Sequence, residues 1–293
     1  MRQGFFFTLL ISCSLIFAFI AQSSSVPTLP RYDHVVIVVE ENHSQKHILG
    51  GGNTSCPYMQ SLAAMGANMT QCFAETHPSE PNYHALFSGS TQGVKDDGCD
   101  YSFSGPNLAR ALLDAGLTFA GYSEDLPKEG ATDCSAGGRS GYRKKHNPWV
   151  FFQGEDKDKL PTSVNLPFKG YFPKDFRKLP TVSFVIPNQM NDMHDGTPAQ
   201  ADAWLKKNLD SYIRWAKKHN SLLIVTWDED DHTENNQIPT FFVGAKVCKG
   251  DFSEKINHYD VLRTILDMYG LPAINKAVDA KTITDIFNCK GKP

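Results

Sequence analysis

Three short runs decide most of what this chain can fold into. Residues 34–39, 181–186 and 221–226 are apolar and rich in β-branched side chains, without alternation of polar and apolar positions. A strand of that composition is covered on both faces, the environment of a parallel sheet packed between helices. Between the runs the spacing becomes helical: residues 57–65 closed by Gly66, 107–115 closed by Gly116, the long amphipathic stretch 198–218, and 259–269. Further strands at 67–74, 117–122 and 239–243, and a short helix at 81–87, complete the alternation. This order predicts an α/β three-layer sandwich around a mainly parallel central sheet. The segment 123–178 breaks the pattern, with Gly, Pro, Lys and Asp dominant and Trp149, Phe151 and Phe152 scattered through it. It reads as a long excursion covering one rim of a site.

The chain begins Met1-Arg2-Gln3 and runs apolar from Gly4 to Ile20, followed by Ala21-Gln22-Ser23. A short basic start, an apolar core and small residues at the end describe a secretory signal peptide over 1–23, cleaved near Ser23. The run is short for a membrane span and no basic cluster follows it. One domain over 24–293 is expected, secreted, with no stable membrane insertion after cleavage. The formal net charge is −3 and no basic block occurs, which argues against nucleic acid as a partner. A small phosphorylated ligand remains compatible, because local field outweighs total charge. Cys13 leaves with the signal; Cys56, Cys72, Cys99, Cys134, Cys248 and Cys289 remain. An even number in an exported chain suggests disulfides, and the sequence does not choose the pairing. Asn53 and Asn68 head glycosylation sequons, as does Asn42, so the chain reads as a candidate glycoprotein.

In such a fold ligands bind beyond the carboxyl ends of the strands. Chemistry-bearing residues recur there. Glu40-Glu41-Asn42-His43 follow the first strand, and Thr76-His77-Pro78-Ser79-Glu80-Pro81-Asn82 follow the second. Asn191-Asp192-Met193-His194-Asp195 and Trp227-Asp228-Glu229-Asp230-Asp231-His232 follow two later strands. Adjacent acids at the mouth of a buried strand repel one another, and a divalent cation would neutralise them; an acidic surface turn would look the same. Ser79 precedes the predicted helix, where free amides favour an anion; a plain N-cap serine uses that geometry too. No Gly-x-Ser-x-Gly elbow and no phosphate-cradling Gly-Lys loop occurs, which disfavours an α/β-hydrolase esterase and a nucleotide hydrolase.

Four stretches together resemble the phosphoesterase family of the alkaline-phosphatase superfamily, which holds acid phosphatases and phospholipases C. They are 34–44, 76–89, 187–196 and 225–231, extended by 238–240 and 257–263. The resemblance covers nearly the whole mature chain. It implies Ser79 as nucleophile, Glu41, Asn42, Asp228 and Glu229 as metal ligands, and Asn42 and Asn82 as phosphate contacts. It implies His194, with Asp192 or Asp195 beside it, near the phosphate, and leaves His77, His84 and His258 as secondary candidates. Tyr83 stands where the phospholipase branch commonly has arginine. The compact His77-Pro78-Ser79-Glu80-Pro81-Asn82 version is similar to secreted acid phosphatases, including one acting on phosphatidylinositol 3-phosphate.

The expected activity is therefore metal-assisted hydrolysis of phosphate monoesters through a phosphoserine, on a phosphorylated small molecule or a phosphoinositide. Oxygen-rich ligands suit magnesium, calcium or manganese, with zinc also compatible. A phospholipase C-type phosphodiesterase is the second reading. A non-catalytic secreted binding protein is the third, and would require a lost nucleophile or ligand.

Overall fold

The computed structural model describes residues 1, 29–52, 55–154 and 159–289. The expected signal peptide, Met1 apart, and the Asn53 sequon lie outside them. In chain order the strands are β1 (His34–Glu40), β2 (Ala67–Phe73), β3 (Phe119–Ser123), β4 (Ser135–Ala136), β5 (Tyr142–Arg143), β6 (Asn165–Pro167), β7 (Val182–Ile186), β8 (Ser221–Trp227), β9 (Gln237–Ile238), β10 (Thr240–Gly244) and β11 (Gly250–Asn257). The α-helices are α1 (Gln45–Leu49), α2 (Pro57–Met65), α3 (Ser79–Ser88), α4 (Leu108–Asp114), α5 (Phe168–Tyr171), α6 (Pro198–Ala216) and α7 (His258–Met268).

The main sheet runs β11-β2-β10-β8-β1-β7-β3-β6, with β9 paired to β2. From β8 to β6 every pairing is parallel, while β10 is antiparallel to both β8 and β2. The two antiparallel steps cancel, so β1, β2, β3, β7 and β8 all point their carboxyl ends at one edge. β1 and β8 are the central pair, and only His34 among their residues is not buried, as their β-branched composition requires. On the flanks, α2 touches α1 and α6, and α3 touches α4 and α7. Both long helices close their first turn with a capping box, Thr197 with Gln200 in α6 and Asn257 with Asp260 in α7, so their orphan amides are satisfied where they leave the sheet.

The excursion after β3 is less peripheral than its composition suggests. Trp149, Phe151 and Phe152 are fully buried, and the Trp149 ring meets Phe119 and Phe184 at 6.0 and 5.8 Å. Gly121 on β3 makes room for it: a Cβ there would lie 2.1 Å from the indole. These aromatics anchor the excursion to the core, so the residues just before them, Lys144 to His146, are held in a fixed place.

Two expectations are corrected and one strand is added. The edge strand β11 alternates in burial, with Phe252 and Ile256 inward, and its polar composition gives no strand signal in one dimension. The third helix starts at Ser79 rather than Pro81. The cysteines form two bridges, Cys99–Cys134 and Cys248–Cys289, while Cys56 and Cys72 are buried thiols, acting as small apolar core residues. Asn68 hydrogen-bonds Asp251 from within β2 at 2.8 Å.

Candidate active site

The loops leaving β1, β2, β7 and β8 converge, and Ser79 lies at their centre. It is the first residue of α3; the N-cap is Pro78, which offers no side-chain cap, and the Glu80 amide of the first turn is taken by Asp97 at 3.0 Å. The hydroxyl is therefore not occupied in capping. It is 2% exposed and contacts Glu41 Oε2 at 3.2 Å, Glu229 Oε1 at 3.1 Å and Lys145 Nζ at 3.4 Å. A hydroxyl has one proton to donate. It satisfies one carboxylate, and the second needs either its own proton or a cation.

Glu41 joins two halves of the site. Its Oε1 accepts from the Tyr83 hydroxyl at 2.6 Å and lies 3.0 Å from His146 Nε2. His146 in turn stacks on Tyr83 with centroids 5.0 Å apart and places Nδ1 3.5 Å from Asp192 Oδ2. Burial opposes ionisation of Glu41, yet the neighbouring His146 and Lys145 outweigh it and hold the carboxyl well below the usual carboxylate range. Asp228 accepts from the Asn42 amide at 3.1 Å. That amide is presented by a left-handed turn (φ 54°), which asparagine tolerates well.

The acids around Ser79 fit a divalent cation. Glu41, Asp192, Asp228 and Glu229 are all buried, and Asp192 Oδ2, Asp228 Oδ2 and Glu229 Oε2 lack a hydrogen-bond partner. Each such orphan costs about 1–3 kcal/mol, and charged neighbours raise that further. Glu229 Oε2 lies 2.6 Å from His77 Nδ1 without hydrogen-bond alignment. Oxygens of Glu41 and Asp192 and a nitrogen of His146 lie within 4.8 Å of one another. Carboxylates with one imidazole are a donor set for hard and borderline divalent ions.

Without such an ion three of these acids hold protons instead, while Glu41 stays ionised. Burial, reinforced by Glu41, pushes Glu229 up to about 8 and raises Asp228 and Asp192 well above their ordinary range. A carboxyl with a higher pKa folded than unfolded stabilises the fold below its unfolded value, and that contribution is lost as pH rises through the folded value. The buried imidazoles of His84 and His258, lowered to about 3 and about 4 by burial, act only below the ordinary histidine range. Between about pH 6.5 and 8.5, the thermal midpoint in chelator is expected to fall as pH rises, with Glu80 and Glu75, raised by burial to about 8 and about 7, adding to the fall, so that the cation-dependent part reports on the site. Added divalent cation, which binds ionised carboxylates, is expected to raise the midpoint more at the alkaline end. A midpoint that is flat or rising in chelator, or a cation shift equal across the range, would contradict the assignment.

The sequence-derived candidates separate into three groups. Glu41, Asn42, Ser79, Asp192, Asp228 and Glu229 come together as described, and His77 stands beside Glu229 with its ring stacked on His232 at 3.9 Å. His194 and Asp195 form a rim pair at 2.9 Å, with the His194 ring 6.4 Å from that of His146. Asn82, His84 and His258 serve the scaffold. The Asn82 amide accepts from the Glu75 and Thr76 amides and donates to the Thr76 and Pro78 carbonyls. All its hydrogen-bonding capacity goes to the loop carrying Ser79, which corrects the expected phosphate contact. His84 pairs with Glu80 at 3.2 Å and His258 with the Trp227 carbonyl at 2.8 Å, both buried.

Lys145 and His146 were not anticipated. In sequence Lys144-Lys145-His146 is a basic run inside an irregular segment. In the structure Asp97 fixes Lys145 at 2.8 Å and also accepts the Glu80 amide at the start of α3, at 3.0 Å. The one available signal was the aromatic cluster immediately downstream, which marks this part of the excursion as anchored.

The Phosphoesterase family model matches residues 52–272, and the chain belongs to that family. It is 54% identical to the phosphatidylinositol-3-phosphatase of Mycobacterium tuberculosis over 261 residues, covering 88% of this chain and 84% of that protein. It is 29% identical to the phosphate-repressible acid phosphatase of Penicillium chrysogenum, covering 74% of this chain and 55% of that one. Among solved structures, an alkaline-phosphatase-superfamily protein from Vibrio parahaemolyticus superposes with a TM-score of 0.58 at 15% identity, covering 90% of this chain and 70% of that one. The fold is that of the superfamily, and the chain is a hydrolase of phosphoric esters.

Proposed function

We propose that this member of the Phosphoesterase family is a secreted phosphomonoesterase that works through a phosphoserine at Ser79, with phosphatidylinositol 3-phosphate among its substrates. The observation that carries the reading is the position of Ser79 Oγ between two buried carboxylates and a half-buried ammonium. A phosphate monoester is doubly charged and repels nucleophiles, so the site must supply alignment and positive charge. Glu41 or Glu229 takes the Ser79 proton as Oγ bonds to phosphorus. The ester P–O bond breaks on the opposite side, and the leaving oxygen takes a proton from a rim acid; His194, whose ring lies 6.4 Å from that of His146, is the candidate. Lys145, held by Asp97, faces the negative phosphoryl oxygens. Water then cleaves the phosphoserine, releasing inorganic phosphate and restoring the hydroxyl. Tyr83 and His146 keep Glu41 oriented.

Glu41, Asn42, Asp228 and Glu229, with His146 and Asp192 beside Glu41, would hold a divalent cation, which when bound lowers the pKa of the nucleophile and polarises a phosphate oxygen. The substrate reading leans on the phosphatidylinositol-3-phosphatase relative, and secretion on the amino-terminal composition alone.

The test is phosphate release from p-nitrophenyl phosphate and from phosphatidylinositol 3-phosphate by the mature chain, with and without chelator. Turnover of both is expected, with activity lost on chelation and restored by one of magnesium, calcium, manganese or zinc. Release of diacylglycerol from phosphatidylcholine without phosphate release from either monoester would replace this reading by the phospholipase C one.

A further inference from the structure

A second recess lies beside the site and is not used by the chemistry above. It is an open groove of about 920 Å³ between α6 and the segment that follows β6. That is near the upper end for small-molecule sites and far larger than a phosphoryl group requires. Phe168, Phe172 and Phe176 from the segment and Trp204 from α6 line it, and Phe168 packs on Phe172 and Trp204 with centroids 5.1 and 5.4 Å apart. Lys169, Lys174 and Lys207 also line it. All three are exposed, and none forms an ion pair with a described residue. Tyr171, in the same segment, is 46% exposed and is the one Phe, Tyr or Trp among the described residues that faces solvent. Residues 168–178 carry four basic side chains against one acid, in a chain whose net charge is −3.

The groove begins at the catalytic edge. β6 runs parallel to β3, so Phe168, directly after its last residue, leaves the sheet at the edge where Ser79 stands. Asn191 borders the groove while its neighbour Asp192 belongs to the cluster beside Glu41. At this end Glu124 and Asp125 also line the groove, Glu124 accepting from the Asn188 backbone amide, Asn191 Nδ2 and Trp204 Nε1, and the three lysines outnumber these two acids. Aromatic side chains interleaved with lysines, flanking a site for a negatively charged headgroup, complement an anionic lipid interface.

We propose that the Phe168–Phe176 segment and the facing side of α6 form a docking surface for an anionic phospholipid bilayer, so that the enzyme takes phosphorylated lipids from a membrane surface. This rests on the phosphomonoesterase reading for the role of Ser79, but the docking itself does not. Lysines 169, 174 and 207 contact the headgroups, Tyr171 enters the interface, and the aromatic groove receives acyl-glycerol atoms of the bound lipid.

The experiment compares the parent with the triple variant Lys169→Glu/Lys174→Glu/Lys207→Glu and with Tyr171→Ser. Two quantities are read: sedimentation with vesicles of phosphatidylcholine and phosphatidylserine, and hydrolysis of phosphatidylinositol 3-phosphate in vesicles against soluble p-nitrophenyl phosphate. Each lysine near an anionic surface contributes roughly fivefold, so losing three positive charges costs about 100-fold and reversing them costs more; the triple variant is expected to lose at least about 100-fold in vesicle binding and vesicle hydrolysis. Tyr171→Ser loses less, and both keep parental turnover of the soluble ester. Parental vesicle binding by the triple variant overturns the proposal. So does an equal loss on both substrates by both variants, because the groove would then act on the site and not on lipid. A parent that ignores anionic vesicles but is retained on polyglutamate through these lysines has an acidic protein partner, and the lipid assignment falls. A parent that binds vesicles through them yet hydrolyses neither ester leaves docking standing and removes the phosphatase reading.

Discussion

The Ser79→Ala variant is expected to lose about four orders of magnitude in kcat/KM on p-nitrophenyl phosphate while remaining folded. The two halves of that expectation have separate causes. Activity is lost because, among the described residues, no other hydroxyl contacts Glu41, Glu229 and Lys145 together; the other hydroxyl on Glu41 is the Tyr83 phenol, which is buried. The fold is kept because Ser79 caps nothing: the N-cap of α3 is Pro78, and the loop before it is held by Asn82. Had Ser79 been a capping residue, alanine would cost about 1 kcal/mol of stability and leave the chemistry untouched. Steady-state kinetics and a melting curve on the same sample therefore discriminate. Acid quenching during turnover should also trap phosphate on the Ser79 peptide of the parent and not of the variant. Retention of a tenth of parental activity, or an unlabelled parental peptide, would remove Ser79 as nucleophile.

What the sequence disclosed follows the range of the forces involved. Strands β1, β7 and β8 are legible because burial on both faces leaves no alternative composition, and their carboxyl-end loops are legible because a parallel sheet brings them to one edge. Glu41, Ser79, Asp228 and Glu229 each sit within a few residues of a strand or helix end, so a linear reading reaches them. Lys145 and His146 do not. They enter the site from a segment 66 residues beyond Ser79, and what places them is packing of Trp149, Phe151 and Phe152 under the sheet. Their side chains alone suggest a solvated basic run. Asn82 fails for the opposite reason. It lies three residues from Ser79 in sequence, but four backbone groups of its own loop claim its amide. Proximity along the chain predicted the neighbourhood and not the partner. Cys56 and Cys72 illustrate the same limit, since an even count says nothing about which thiols the core has buried apart.

Lys145→Met should lower kcat/KM on p-nitrophenyl phosphate by about 10²–10³-fold, and on bis(p-nitrophenyl) phosphate by only about tenfold. The asymmetry is the informative part. A monoester brings two negative charges to the site and a diester one, so a fixed ammonium beside Ser79 favours the monoester. Lys145 is suited to that task. Burial alone would discharge it, but Glu41 and Asp97 raise its pKa above the ordinary lysine value, and its ammonium is held 2.8 Å from Asp97 and 3.4 Å from Ser79 Oγ. Methionine keeps the length and apolar stem of the side chain while removing the charge, so the effect is not one of packing. Lys145→Arg keeps the charge but offers a planar fork in place of a compact ammonium, and it is expected to recover part of the monoester rate. Equal losses on the two esters would mean that Lys145 serves only to place Asp97 and the start of α3. Monoester preference would then have to come from the groups around Glu41, and the distinction between a phosphatase and a phosphodiesterase on this fold would lie in the cation site instead of the excursion.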